Sequence, residues 1–136
     1  MALPRVGDGY QIGTGSSEPF IYQAAAAPPV KTGAGTLTVD EFVGGLVQTN
    51  FGSALALTTP TAAQIDAAYP NLKVGSSFGF TLAGTAAFAN TLTMGTGMTA
   101  VGANATPATT IASAQWRVTK TSAVGAPPTF NVIRTT

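Results

Sequence analysis

The chain has 136 residues, 45% of them hydrophobic and only 8% charged, with six basic and five acidic side chains for a net charge of +1. That length fits one domain with an appended arm, and that composition excludes both a charge-rich disordered chain and electrostatic capture of nucleic acid. With no Cys and no His, a disulfide framework, a thiolate metal site and the usual Ser-His-Asp triad are excluded as well.

Ala, Thr and Gly dominate, at 24, 22 and 16 residues, so the surface is expected to be neutral and rich in hydroxyls. The start, Met-Ala-Leu-Pro-Arg-Val-Gly-Asp, lacks the apolar core of a signal peptide, and no stretch approaches the roughly 18 apolar residues of a membrane span. The expectation is a soluble protein made in the cytoplasm, with no membrane partner.

Residues 1 to 34 carry Pro4, Pro19, Pro28, Pro29 and five glycines, which block long helices and regular ladders. Yet Tyr10, Ile12, Phe20, Ile21 and Tyr22 are too apolar for an idle solvated tail. The segment reads as an extended arm that must lie on something, either the parent domain or another protein. The run Ala24 to Pro29 acts as its semi-extended spacer.

From Thr36 the chain is strand-like. In "LTVDEFVGG" (37 to 45), Thr38 and Glu41 have the spacing of a capping box and Gly44-Gly45 ends the turn, so a short helix is predicted there. "LVQTN" and "ALALTT", on either side of Phe51-Gly52-Ser53, read as a hairpin. A second short helix begins after Thr59-Pro60-Thr61 and is stopped by Pro70, with Ala62, Ile65, Ala68 and Tyr69 as its buried stripe.

Alternation then becomes clear. Phe78, Phe80 and Leu82 share one face of a strand, and Ser77, Gly79, Thr81 and Ala83 the other. "ANTLTMG" and "MTAVG" flank the turn Gly95-Thr96-Gly97. In "TTIASAQWRVTKT", Ala112, Ala114, Trp116 and Val118 oppose Ser113, Gln115, Arg117 and Thr119, and "PTFNVIRT" closes the chain. About eight short strands separated by Gly, Asn and Pro turns predict an all-β domain over 35 to 136, an antiparallel β-sandwich or jelly roll with one or two short helices.

The candidate chemistry is thin. Gly75-Ser76-Ser77-Phe78-Gly79 matches the nucleophile-elbow pattern, but no His can serve as base, and the stretch runs into a strand where the elbow needs a helix. A Ser-Lys arrangement would require Lys31, Lys73 or Lys120 buried beside Ser77. Asp40 and Glu41 are sequence neighbours whose side chains diverge, and capping accounts for Glu41. Asp8, Glu18 and Asp66 are isolated, leaving no oxygen-ligand metal site. "GDGYQIGTGSS" has neither the dinucleotide fingerprint nor the P-loop lysine. Asn104-Ala105-Thr106 reads as a turn, and Trp116, on an alternating strand, as core rather than as a sugar platform. Neither a catalytic residue nor a cofactor is assigned.

The lines "TLTVDEFVGG", "LTTPTAAQIDAAYPNLKVGSSFGFTL", "LTMGTGMTAVG", "ASAQWRVTKT" and "FNVIR" resemble the head decoration, or cement, proteins of tailed bacteriophages over about residues 36 to 136. The resemblance implies a non-enzymatic structural protein of the virion, a homotrimer of sandwich subunits on the outer capsid surface. Its partners would be the major capsid protein and its own copies. Within the arm, Arg5, Tyr10, Ile12, Phe20 and Tyr22 are then the candidate contacts to capsid or neighbour. The alternative is a head-fibre, neck or tail-spike module that binds another virion protein or a host-surface glycan through Trp116, Tyr69 or Tyr10.

Overall fold

The computed structural model describes residues 5–6, 9–10, 29–105 and 112–136. Two short strands, β1 (Arg5–Val6) and β2 (Gly9–Tyr10), pair antiparallel with each other. The continuous chain then runs β3 (Val30–Lys31), β4 (Gly35–Thr36), α1 (Val39–Val43), β5 (Leu46–Thr49), β6 (Leu55–Thr58), α2 (Ala62–Ala68), β7 (Ser77–Gly84), β8 (Asn90–Thr93), β9 (Met98–Val101), β10 (Ser113–Lys120) and β11 (Phe130–Arg134).

Both helices start as their sequences dictate. At α1 the Glu41 amide donates to Thr38 Oγ1 at 3.2 Å while the Thr38 amide donates to Glu41 Oε2 at 3.0 Å, so two orphan donors are satisfied reciprocally. Thr61 and Gln64 repeat the arrangement at α2, at 3.2 and 2.9 Å. The second helix ends at Tyr69, which leaves the helical region (φ −130°, ψ 71°) because the ring of Pro70 disfavours α geometry just before it. Its buried stripe is shorter than predicted. Ala62 and Ile65 are buried, but Ala68 and Tyr69 overhang the end of the core and are exposed, and Leu72 packs on the core instead.

Strand alternation places the core as expected on β7 and β10. Phe80 and Leu82 are buried, with Phe78 packed at the margin, and across the ladder Ala114, Trp116 and Val118 are buried while Ser113, Gln115 and Arg117 face solvent. Trp116 stands opposite Phe80 in register, their rings 6.1 Å apart, and Phe80 meets Phe42 of α1 at 4.7 Å.

The sheet topology corrects the antiparallel expectation. Among the described residues there are, besides the β1-β2 pair, a six-stranded sheet, in the order β3-β5-β7-β10-β11-β9, and a three-stranded sheet, β4-β6-β8. From β3 to β8 the chain alternates between the two sheets, so every return to a sheet has crossed through the other and runs in the same direction. Neighbours are therefore parallel: β3 with β5, β5 with β7, β4 with β6, β6 with β8. Within the large sheet β7-β10-β11 is the antiparallel run, and β9 joins β11 in parallel at the far edge. The sheets are mixed because the opposite sheet supplies the crossover that parallel strands need.

The predicted hairpin at 46 to 58 is likewise absent. Its two strands lie in different sheets, with Leu46 opposite Thr81 and Leu55 opposite Asn90, the same 35-residue offset in each. Phe51, in the connection, is buried; the chain turns a corner around this side chain instead of folding back as a ladder.

Buried residues of both sheets and both helices, among them Val47, Leu57, Leu92, Phe42, Ile65, Phe130 and Val132, form one hydrophobic cluster. The Gly95-Thr96-Gly97 turn locks against the start of α2. A Cβ on Gly95 would lie 2.7 Å from the Thr59 carbonyl oxygen, and one on Gly97, whose φ is +81°, would lie 2.7 Å from Ala62 Cβ. The Ala62 amide donates to the Thr96 carbonyl at 2.9 Å across this contact.

Candidate functional site

Among the residues assigned to neighbour contacts, Ile12, Phe20 and Tyr22 lie outside the described residues. Arg5 and Tyr10 stand opposite one another in the β1–β2 ladder. The boundary region is tied to the domain: Lys31 of β3 pairs with Glu41 of α1 at 2.7 Å, and the Pro29 carbonyl accepts from the Gln48 amide at 2.9 Å. Burial opposes ionisation of Glu41, but the Lys31 ammonium and the hydrogen bond from Thr38 outweigh it and hold the carboxyl below its ordinary value.

The serine motif is structural. Ser77 opens β7 on the exposed face, where its Oγ accepts from Arg117 Nη1 at 3.2 Å, and Ser76 Oγ accepts from the Lys73 amide at 3.1 Å within the preceding turn. Lys73 is exposed. Lys120 is the buried lysine, with its side chain 3% exposed, but it points to the core face and is held by the Asp66 carboxylate and by the Leu72 carbonyl at 3.1 Å. The hydroxyl of Ser77 and the ammonium of Lys120 thus leave opposite faces of adjoining strands.

The pair Lys120–Asp66, 54 residues apart, escaped the sequence reading. Its signal was nonetheless there: residues 114, 116, 118 and 120 share one parity, so a lysine continuing the apolar face needs a buried partner. Asp66 follows the buried Ile65 on α2 and delivers that partner.

Trp116 is 2% exposed. Its Nε1 donates to the Ala103 carbonyl at 3.3 Å, and Arg134 lies over the ring at 5.2 Å while donating to the Ala105 carbonyl at 2.7 Å. The indole is a core pillar with its polar atom and face already engaged. Asn104, in the sequon-like triplet, donates to the Leu92 carbonyl at 3.1 Å. No cluster of three or more potential metal ligands exists among the described residues.

What remains is a surface at the end of the large sheet where β7 begins and β10 ends. A cleft of about 150 Å³ is lined by Val43, Ile65, Tyr69, Leu72, Ser76, Ser77 and Phe78. Around that end, Val74 in the turn before β7 is 58% exposed and Val124 in the loop after β10 is 70% exposed; the Gly75 amide donates to the Lys120 carbonyl and holds the two segments side by side. Tyr69 adds a half-exposed ring at the rim. This end exposes Tyr69, Val74 and Val124, with Lys73 exposed beside Val74 in the same turn.

Among the described residues no helix is long and apolar enough to cross a membrane. Comparison of the chain with protein-family models, with curated proteins and with solved structures finds no match.

Proposed function

We propose that the chain is a non-enzymatic structural protein of a tailed-phage virion, a decoration or cement subunit on the outer capsid surface. Its two sheets are read as the layers of a β-sandwich, its assembly as a homotrimer, and its residues 1 to 34 as the arm that reaches the major capsid protein or a sister subunit. The observation that carries the reading is the apolar end of the domain, with Tyr69, Val74 and Val124 exposed beside an uncharged cleft. The side chains a catalyst would need, Ser77, Lys120, Asp66 and Glu41, each have an intramolecular partner. Supporting it too is the sequence resemblance of residues 36 to 136.

A decoration subunit adds buried area across capsid seams, and many copies multiply a modest gain per contact. Quantitative mass spectrometry of purified virions tests the proposal. Abundance comparable to that of the major capsid protein is the expected result. A few copies per particle would refute it and point to a head-fibre, neck or tail component.

A further inference from the structure

We infer that the free edge of β9 pairs antiparallel with the β9 edge of a second copy of this chain, about a twofold axis at Ala100, joining two large sheets into one. The backbone sets this up. β9 lies parallel to β11, with Met98 level with Phe130 and Val101 level with Ile133, and the Phe130 amide donates to the Gly97 carbonyl at 3.0 Å. Backbone groups of successive residues turn to opposite sides of a strand. Gly97, Thr99 and Val101 therefore serve the β11 ladder, while Met98, Ala100 and Gly102 present theirs at the edge. The Met98 amide is taken by the Gly95 carbonyl at 3.0 Å. The Met98 carbonyl, both backbone groups of Ala100 and the Gly102 amide have no partner among the described residues.

The other edges of the two sheets are managed. β3 is two residues long, follows Pro28-Pro29 and carries Lys31, and β4 is also two residues long. Along β8 the Leu92 amide donates to the Asn104 carbonyl at 2.7 Å, Asn104 Nδ2 donates to the Leu92 carbonyl at 3.1 Å, and Thr91 is bridged to Ala105. Short length, Pro, Lys and a covering segment are devices that keep a strand edge from adding another strand. β9, "MTAV", has four residues and none of these devices, and its Thr99, Ala100 and Val101 are exposed.

The occupant follows from the order of the free groups. Around the Ala100 donor and acceptor stand an acceptor two residues before and a donor two residues after, an order complementary to itself when run antiparallel. The two Ala100 residues exchange a reciprocal pair of hydrogen bonds, and each Gly102 amide donates to the Met98 carbonyl of the other copy. Thr99 of one copy then faces Val101 of the other, on the sheet surface that also carries Asn131 and Ile133, and covers a side chain that is 44% exposed. Charge permits the contact. No residue from Val74 to Trp116 is charged, so symmetric pairing sets no like charges against each other. Arg134, beside Gly102, is turned onto Trp116 and the Ala105 carbonyl. A twofold contact joins copies in pairs, so it goes beyond the virion reading and does not rest on it.

A strand pair of this size buries less than about 1,000 Å², so a transient dimer is expected. Sedimentation equilibrium of the full-length protein from about 10 μM to about 1 mM should show the weight-average mass rising towards twice its low-concentration value. Ala100→Pro removes the outward donor and no ladder bond, at a position where an edge strand tolerates proline, and Val101→Lys places a charge on the seam; each should weaken association at least about tenfold with circular dichroism unchanged. Val101→Lys decides alone if the proline variant does not keep the wild-type spectrum. A constant mass over the whole range, or association undiminished in a folded variant, would overturn the inference, the second result pointing to another surface. If the chain is a trimer through a different surface, the same step is read as trimer to hexamer. The measurement uses the isolated protein, whereas copy number is read on virions, so either proposal can fail alone.

Discussion

Removing either member of the Lys120–Asp66 pair breaks the same ion pair, yet the two losses should differ severalfold. The Lys120 side chain is 3% exposed and that of Asp66 is 32% exposed. Asp66→Ala leaves an ammonium in the core with the Leu72 carbonyl, at 3.1 Å, as its one remaining partner of those described. Breaking a fully buried pair in this way costs about 3–5 kcal/mol. Asp66 is at the margin, where water can move in toward the vacated position, so a loss of about 2 kcal/mol is expected here.

Lys120→Met instead removes the charge that needs solvating and keeps an unbranched chain of similar length in the core. The exposed edge of Asp66 turns to water, and the Leu72 carbonyl loses one donor, so the cost is expected to be about 1 kcal/mol or less. In the Lys120→Met background, Asp66→Ala should then be nearly silent. Urea denaturation followed by tryptophan fluorescence, with thermal unfolding beside it, measures all four corners of the cycle. At about 4 °C per kcal/mol for a domain of this size, Asp66→Ala lowers Tm by about 8 °C. Equal losses for the two single variants, or an undiminished effect of Asp66→Ala in the Lys120→Met background, would refute the reasoning.

Thr49 is buried and its Oγ1 has no hydrogen-bond partner among the described residues, so Thr49→Val should raise the urea midpoint by the equivalent of about 1 kcal/mol; a decrease would show that the hydroxyl is satisfied. Glu41 has its folded pKa held below the ordinary value, so its contribution is complete above the unfolded carboxylate pKa of about 4.3 and disappears as pH falls through the lower folded value. Acid titration of stability should therefore show the gap between wild type and Glu41→Gln shrinking as pH falls below about 4.3 and closing once pH is below the lowered folded value, and curves that stay parallel throughout would count against the Lys31–Glu41 pair. Gly97→Ala combines a φ of +81° with a Cβ only 2.7 Å from that of Ala62, whereas Gly125→Ala has a φ of +86° and open space. Thermal melts should show the first losing at least about 2 kcal/mol and the second about 1; equal losses would remove the packing part of the argument.

The sequence was most legible where the determinants are local. Thr38 with Glu41, Thr61 before α2 and Pro70 after it act within one helical turn, and the parity of Phe80, Leu82, Ala114, Trp116 and Val118 requires only that a strand have one buried face. The pairing of strands is a different kind of information. A period of two says which face of "LVQT" or "LALT" is inward and nothing about which strand lies alongside. The assignment of those two segments to a hairpin rested on their nearness in the chain, and buried Phe51 between them sends them into separate sheets. The same limit hid the Lys120–Asp66 pair: parity marks Lys120 as inward, but Asp66 is brought to it by tertiary packing alone.

Alternation between sheets also sets the direction in which the strands of the large sheet run. Within the large sheet β3, β5 and β7 run in the same direction, but their starts are staggered: Val30 is level with Gln48 and Ala83, and Leu46 with Thr81, so of the three only β7 extends to the end at which it begins. The antiparallel β10 and β11 bring the loop with Val124 to that end as well. Helices α1 and α2 sit in the connections and close the core beside it through Phe42 and Ile65, leaving the cleft bounded by Val43, Ile65 and Phe78 where the two helices and β7 do not quite meet. An antiparallel sandwich of the kind first expected would have distributed its strand starts between both ends. Parallel winding points the upstream ends of β3, β5 and β7 the same way; Tyr69, Val74 and Val124 are exposed at the end where β7 begins, while Val30 and Leu46 are exposed further along the sheet.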